Sequence, residues 1–167
     1  MSKLTALAVS IAVLGGVWAF LSLNPLAGAT LVWVGFIAWG CYFHTGGDTA
    51  ALQKTIAGMV YGAVIAGVAL YLVSSGMLAS LGALAAPVII AVTVFLLVIV
   101  AGNTMLSVVP ANVYGYAATA GYALSTNTAG NATMVDLSNP VLLVIVSTVL
   151  GALFGMASGK LAGALGK

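Results

Sequence analysis

Residues 140–164 read PVLLVIVSTVLGALFGMASGKLAGA and contain one charged side chain, Lys160. A run this long and apolar is typical of a transmembrane helix, which needs about 20 residues to cross the hydrocarbon core. Asn139 stands directly before Pro140. Asparagine caps a first helical turn well, and proline fits the first helical position. The stretch therefore predicts a membrane-spanning helix with a defined start.

The composition of the whole chain extends this reading. Of 167 residues, 63% are hydrophobic and 4% are charged, and the mean hydropathy is +1.25. An average soluble domain is roughly a quarter charged, so a water-soluble fold and a disordered chain are excluded. A net charge of +2 gives no basic field for nucleic acid, so no nucleic-acid partner is expected. We expect one polytopic membrane domain over residues 1–167, with the lipid bilayer as its surroundings.

Six apolar stretches divide the chain, and the fold class they predict is an all-α membrane protein with six transmembrane helices. Asp48 or Thr49 is placed to cap the start of the third stretch. The first stretch is expected to cross the membrane rather than to act as a signal peptide. Pro87 and Pro110 are expected inside the fourth and fifth. The polar residues 125–138 separate the last two. The stretches are Leu4–Leu23, Ala29–Phe43, Leu52–Val73, Leu78–Ala101, Met105–Leu124 and Asn139–Ala164.

The lysines test this count. With six crossings, Lys3, Lys54, Lys160 and Lys167 all fall on the side of the N-terminus, and the three segments on the other side contain no lysine. Short cytoplasmic loops carry the excess of lysine and arginine. Five or seven crossings would split the lysines between the two sides. The pattern predicts a multi-pass protein of the bacterial inner membrane with both termini in the cytoplasm.

Glycines recur every four residues in two predicted helices, and small residues let helices approach closely in lipid. Such ridges serve either packing within the chain or a homo-oligomer interface, and the sequence leaves both open. The glycines are Gly58 and Gly62 in the third stretch, and Gly151, Gly155, Gly159 and Gly163 in the sixth.

A weak internal sequence similarity links the two halves of the chain. Residues 58–63 read GMVYGA and residues 151–156 read GALFGM, and each follows a polar loop with an aspartate, Asp48 or Asp136. Three helices per half would give the halves opposite orientations, as in many transporters. This similarity raises the hypothesis that the chain consists of two inverted three-helix halves.

Charged side chains are absent from the middle of every predicted crossing. Ion-coupled transporters usually keep an ionisable group there. Cys41 and His44 are the only cysteine and histidine, so we expect no metal site, no cofactor and no catalytic constellation. The protein is not expected to be an enzyme.

Neutral polar residues concentrate instead at the end of the fourth stretch and along the fifth. Asn112, Tyr116 and Thr119 share one helical face because they stand at i, i+4 and i+7. Unsatisfied polar groups in hydrocarbon cost several kcal/mol, so this face must meet either a partner helix or a water-filled path. Donors and acceptors without net charge suit a small neutral solute. The pore-lining candidates in this region are Asn103, Ser107, Asn112, Tyr116 and Thr119.

Aromatic residues of the first two stretches supply a second candidate wall. Trp33 and Trp39 lie near the middle of the second stretch, and Trp18 follows Gly15 and Gly16 in the first. Some aromatic residues at its end belong to the usual interfacial belt. His44 could titrate near neutrality and gate a path, or it is an ordinary loop histidine. The candidates of this wall are Trp18, Trp33, Trp39 and His44.

The chain resembles a known family in several short stretches. Residues 106–115 read LSVVPANVYG, which resembles the LSxxPxxxxG core of a family of small bacterial inner-membrane proteins. Its designation is domain of unknown function number ten-ninety-seven. Residues 15–18 (GGVW), Gly46–Gly47 after an aromatic helix, and residues 153–155 (LFG) are similar as well. The resemblance implies a six-helix inner-membrane protein and brings no functional residues.

Three functional hypotheses follow. The first is a channel-like homo-oligomer that passes a small neutral polar solute such as urea or a short amide. The second is a non-transporting structural or accessory subunit, in which the polar residues only hold helices together. The third is a transporter of an anion or small metabolite at a helix broken by Pro87 or Pro110. A polar cavity through the protein would favour the first, and paired amides in a closed interior would favour the second.

Overall fold

The computed structural model describes residues 1–166, and over that range every regular element is a helix. The predicted all-helical class is confirmed. Lys167, one of the four lysines predicted on the cytoplasmic side, lies outside the described residues. The six α-helices are α1 (Lys3–Leu23), α2 (Val32–His44), α3 (Thr49–Ser74), α4 (Ala85–Ile99), α5 (Val109–Ser125) and α6 (Pro140–Leu165). Short 3-10 segments cover Ala79–Leu84, Val100–Gly102, Thr104–Leu106 and Ala129–Thr133.

Four segments are long and apolar enough to cross a membrane, and they identify a membrane-embedded protein. They are α1, α3, α6 and the stretch Ala79–Gly102, which contains α4. The other two helices are shorter, because α2 has 13 residues and α5 has 17. Large apolar side chains cover the outside of α1 and α4, including Phe20, Phe95 and Ile99, each about 60% exposed. Such a surface fits lipid rather than water.

Two predicted helix starts are confirmed by their caps. The Asp48 carboxylate accepts a 2.7 Å hydrogen bond from the backbone N–H of Ala51 at the start of α3. The Asn139 side-chain oxygen accepts a 2.8 Å bond from the N–H of Val141 at the start of α6. Each bond satisfies one of the amides that a helix leaves without a partner at its N-terminus.

Three predicted starts were wrong. Helix α4 begins at Ala85 rather than Leu78, because a 3-10 segment in which Gly82 is not helical precedes it. Helix α2 begins at Val32 rather than Ala29, because residues 24–31 form turns closed by backbone hydrogen bonds. Helix α5 begins at Val109, because the chain is extended at Asn103 and makes a separate 3-10 turn before it. Pro110 therefore lies in the first turn of α5 and Pro87 in the first turn of α4. Both positions tolerate the missing N–H, because the first four amides of an α-helix have no partner within the helix. Neither proline therefore breaks an α-helix, as the third hypothesis would need.

The long helices α3 and α6 contact each other at the centre, and each packs along the short helix of the other half. Helix α3 packs mainly on α5, and α6 mainly on α2, while α1 lies on α6 and α4 on α3. The backbones touch where glycines meet. A methyl group added at Gly151 would stand 2.6 Å from the carbonyl carbon of Gly35, and one at Gly115 equally close to that of Met59. Only glycine allows helices to approach this closely.

The predicted glycine ridges contact the chain's own helices. Gly58 and Gly62 of α3 face Ala111, Asn112 and Tyr116 of α5. On α6, Gly151 faces Gly35, Gly155 faces Trp39 and Tyr42, and Gly159 lies beside Phe43. This is the intramolecular use that the sequence left open. Gly163 has no atom near its Cβ position.

Candidate functional site

The polar face of α5 points into the protein. Asn112 and Thr119 are both fully buried, and Tyr116 is partly buried. The side-chain oxygen of Asn112 points at Gly58 of α3, whose missing side chain makes room for it. The spacing of these residues predicted one shared face, and the structure places that face against α3 and α4.

Asn112 connects α5 to the end of α4. Its side-chain NH2 donates to the carbonyl oxygens of Leu97 and Leu106, both at 3.1 Å. Leu97 belongs to the last turn of α4, where carbonyls lose their helical partners. Leu106 ends the 3-10 turn before α5. One amide thus satisfies two carbonyls where the helical hydrogen-bond pattern is interrupted inside the protein, where an unpaired carbonyl would cost stability.

The other polar groups of this face also bond within the protein. The Tyr116 hydroxyl and Thr93 of α4 form a 3.0 Å hydrogen bond, and Thr93 donates to the carbonyl of Ile89. Thr119 donates to the carbonyl of Gly115 one turn earlier in its own helix. Most of the donors and acceptors on this face are therefore already paired.

Asn103 and Ser107 lie apart from this face. Both are exposed in the segment between α4 and α5. The Asn103 side chain accepts a bond from the N–H of Met105, and Ser107 donates to the carbonyl of Thr104. These are turn contacts, so the two residues do not join Asn112 in one lining.

The candidates of the second wall also fall into two groups, one buried in the protein and one exposed on its surface. Trp18 is fully buried against Gly35, and its indole N–H donates to the carbonyl of Val32 at 2.9 Å. Trp39 is also buried, and both rings lie about 6 Å from that of Phe154. Trp33 is 43% exposed and His44 is exposed, on the outside of the protein. Trp18 and Trp39 thus belong to one interior cluster, and Trp33 and His44 lie outside it.

Three buried polar atoms within residues 1–166 have no hydrogen-bond partner: the indole nitrogen of Trp39, the side-chain oxygen of Asn112 and the hydroxyl of Thr148. Unpaired buried groups are rare in native structures and need a physical reason. They are one donor, one acceptor and one hydroxyl, all without charge. These three atoms are the buried side-chain donors and acceptors that no described hydrogen bond satisfies.

A cavity lies elsewhere, where the start of α1 and the C-terminal ends of α2 and α6 meet the start of α3. Its volume is about 590 Å³. Lys3 and Lys160 line it together with Asp48, Thr49 and the loop Gly46–Gly47. The lysine pattern of the sequence predicted only the orientation of the helices, and it carries no signal that two of these lysines share a cavity. Within residues 1–166, no three His, Cys, Asp or Glu side chains are grouped to hold a metal ion.

Comparison with known families fits this layout. Residues 8–163 match the family model described as "Protein of unknown function (DUF1097)". The chain belongs to this family. The match runs from α1 to the last turns of α6 and confirms the resemblance seen in the sequence. No curated protein and no solved structure matches the chain, so membership of DUF1097 brings no residue roles.

Proposed function

We propose that this DUF1097 protein crosses the bacterial inner membrane six times, with both termini in the cytoplasm. Lys3 at the start of α1 and Lys160 near the end of α6 line the same cavity beside the start of α3. Lys54 lies in the second turn of α3. The described lysines therefore gather at one end, as the positive-inside rule requires of cytoplasmic ends.

The packing of the helices supports two inverted halves. Helices α3 and α6, the last of each half, meet at the centre, and each contacts the middle helix of the other half. Helix α1 contacts α6 as α4 contacts α3. This exchange of partners is what a pseudo-twofold axis in the membrane plane would produce.

Cysteine labelling tests this topology. In a Cys41→Ala background, a cysteine at Ala50 should react only after the cytoplasmic side is opened. A cysteine at Ser125 should react from the outside, since both positions are exposed. Labelling of both positions from the same side would contradict six crossings.

Within this frame we propose a structural or accessory role in the membrane that does not include conduction. The pairing of Asn112 carries the proposal, because its amide donates to two carbonyls between α4 and α5 while its residue is fully buried. The residue expected to line a path instead closes the contact between two helices. The backbone contacts at Gly115 and Gly151 support the same reading, since helices packed this closely leave no room for a solute.

A channel for a small neutral solute is the second candidate, favoured by the three unpaired buried atoms on Trp39, Asn112 and Thr148. Neutral donors and acceptors would suit urea or a short amide and would not stabilise an ion strongly. The predicted homo-oligomer also stays a prediction. Its interface would need faces other than those of Gly58, Gly62, Gly151, Gly155 and Gly159, since these contact the same chain.

Swelling of proteoliposomes separates the two functions. For the structural role, proteoliposomes in gradients of urea, acetamide and glycerol should swell no faster than empty liposomes. Faster swelling in any one solute would contradict this role. If that flux were also lowered by Asn112→Leu in a folded protein, it would assign the path to α5. A variant at the exposed Asn103, Asn103→Ala, is the matched control.

A further inference from the structure

We propose that the cavity beside Lys3 and Lys160 binds the phosphate of an anionic phospholipid. This inference goes beyond the structural role and is independent of it, since a lipid site is compatible with either proposed function. It concerns the 590 Å³ cavity at the end of the protein where the described lysines gather. None of the residues proposed to line a path takes part in it.

The charges of the cavity favour an anion. Lys3 is the first residue of α1, and Lys160 lies in the last two turns of α6. Two separate helices therefore each contribute one lysine to the lining of the cavity. The ends of these helices touch, because the Cβ position of Gly166 lies 3.5 Å from Lys3. Two lysines from adjoining helix ends thus place positive charge on the wall of one cavity.

Asp48 is the one acidic residue in the lining. Its carboxylate accepts the hydrogen bond from the N–H of Ala51 and stands at the positive end of the α3 dipole. The carboxylate is thereby held at the start of α3, where the helix offsets part of its charge. The cavity as a whole keeps more positive than negative side chains.

The rest of the lining favours a lipid over a soluble phosphate. Leu7, Phe43, Met156 and Ala162 contribute apolar surface to the same cavity. A phospholipid has a charged phosphate joined to an apolar body, and it meets the protein at the depth where helix ends leave the membrane. Basic pockets between helices on the cytoplasmic side bind such headgroups, and lysine stems cover apolar surface while their ammonium groups reach the interface.

Native mass spectrometry of the full chain, released from mixed phosphatidylglycerol and phosphatidylcholine nanodiscs, tests the proposal. We expect the wild-type protein to retain phosphatidylglycerol preferentially. Each of Lys3→Gln and Lys160→Gln should lower this retention about fivefold, the equivalent of ~1 kcal/mol for one lysine near an anionic surface. Lys54→Gln is the matched control, because Lys54 lies at the same end but does not line the cavity. Equal retention of both lipids, or an equal loss in Lys54→Gln, would overturn the proposal.

Asp48→Asn provides a variant with the opposite expected effect. Asparagine also caps a helix well, so α3 should remain folded, and circular dichroism checks this. Removing the negative charge should increase the retention of phosphatidylglycerol, and unchanged or lower retention in the folded variant would contradict the proposal. Glycerol 1-phosphate added at millimolar concentration should leave the bound lipid in place. Its displacement of the lipid would show a site for soluble phosphates instead.

Discussion

Gly151 of α6 lies against Gly35 of α2 so closely that a methyl group at Gly151 would stand 2.6 Å from the carbonyl carbon of Gly35. No real side-chain carbon tolerates this distance to backbone, and the backbone of α2 cannot rotate away as a flexible side chain could. The contact between α2 and α6 therefore requires glycine at position 151, while Gly35 makes room for the ring of Trp18 on its other neighbour, α1.

Gly151→Ala should destabilise the protein by about 1–3 kcal/mol, the usual cost of forcing an extra carbon into a packed core. Reversible unfolding in mixed detergent micelles would measure the loss. Gly163→Ala is the matched control in the same helix, since its Cβ position meets no atom within 4 Å. Equal stability of the two variants would disprove the close contact.

Asn112→Leu should destabilise the protein by about 1–3 kcal/mol, because it leaves the carbonyls of Leu97 and Leu106 without their donor. The same unfolding measurement applies. Asn103→Ala should change the stability by less than about 0.5 kcal/mol, as expected for an exposed position. An Asn112→Leu variant as stable as the wild type would show that its two hydrogen bonds contribute nothing.

Trp18→Phe keeps an aromatic ring on Gly35 but removes the N–H that donates to Val32. A hydrogen bond of this kind within a membrane protein contributes about 0.6 kcal/mol on average, and the smaller ring adds a packing loss. We expect a measurable decrease in unfolding free energy. Trp33→Phe, on the exposed face of α2, should leave that free energy unchanged, and the opposite order would contradict the assignment of the two rings.

Ser138 sets the acidity of Asp136 in the loop before α6. Hydrogen bonds from the Ser138 hydroxyl and backbone N–H lower the pKa of the Asp136 carboxyl. A lowered pKa in the folded state adds stability above the ordinary pKa of aspartate, and this is lost as the pH falls through the folded value. Ser138→Ala should raise the pKa of Asp136 in a carbon-13 NMR titration, whereas Ser125→Ala should not. An unchanged pKa in Ser138→Ala would exclude this cause.

The helix starts that could be predicted carry local signals. Asp48 and Asn139 cap α3 and α6 as expected, because a capping side chain bonds to amides only two or three residues away. The start of α5 could not be found in the same way. Residues 105–108 read MLSV and continue the apolar fifth stretch without a break, and hydropathy does not distinguish a 3-10 turn from an α-helix. The extended backbone at Asn103 and the 3-10 turns on either side of it separate α4 from α5.

The arrangement of the candidate site could be predicted only in part, because the spacing of residues within one helix does not say what that helix packs against. Helical spacing correctly placed Asn112 and Thr119 on one face, which is a property of α5 alone. Whether that face meets a helix or water depends on α3 and α4, and no spacing within α5 encodes it. The cavity at Lys3 and Lys160 was missed because its walls come from residues more than 150 positions apart in the chain.

The length of α2 has a consequence for the surrounding lipids. Its 13 residues span about 20 Å, roughly two-thirds of an average hydrocarbon core. In the proposed arrangement, acyl chains beside Trp33 meet a hydrophobic wall too short for them. The bilayer must compress locally there, at a modest elastic cost for each ångström of mismatch. The protein should consequently be enriched in membranes built from shorter acyl chains.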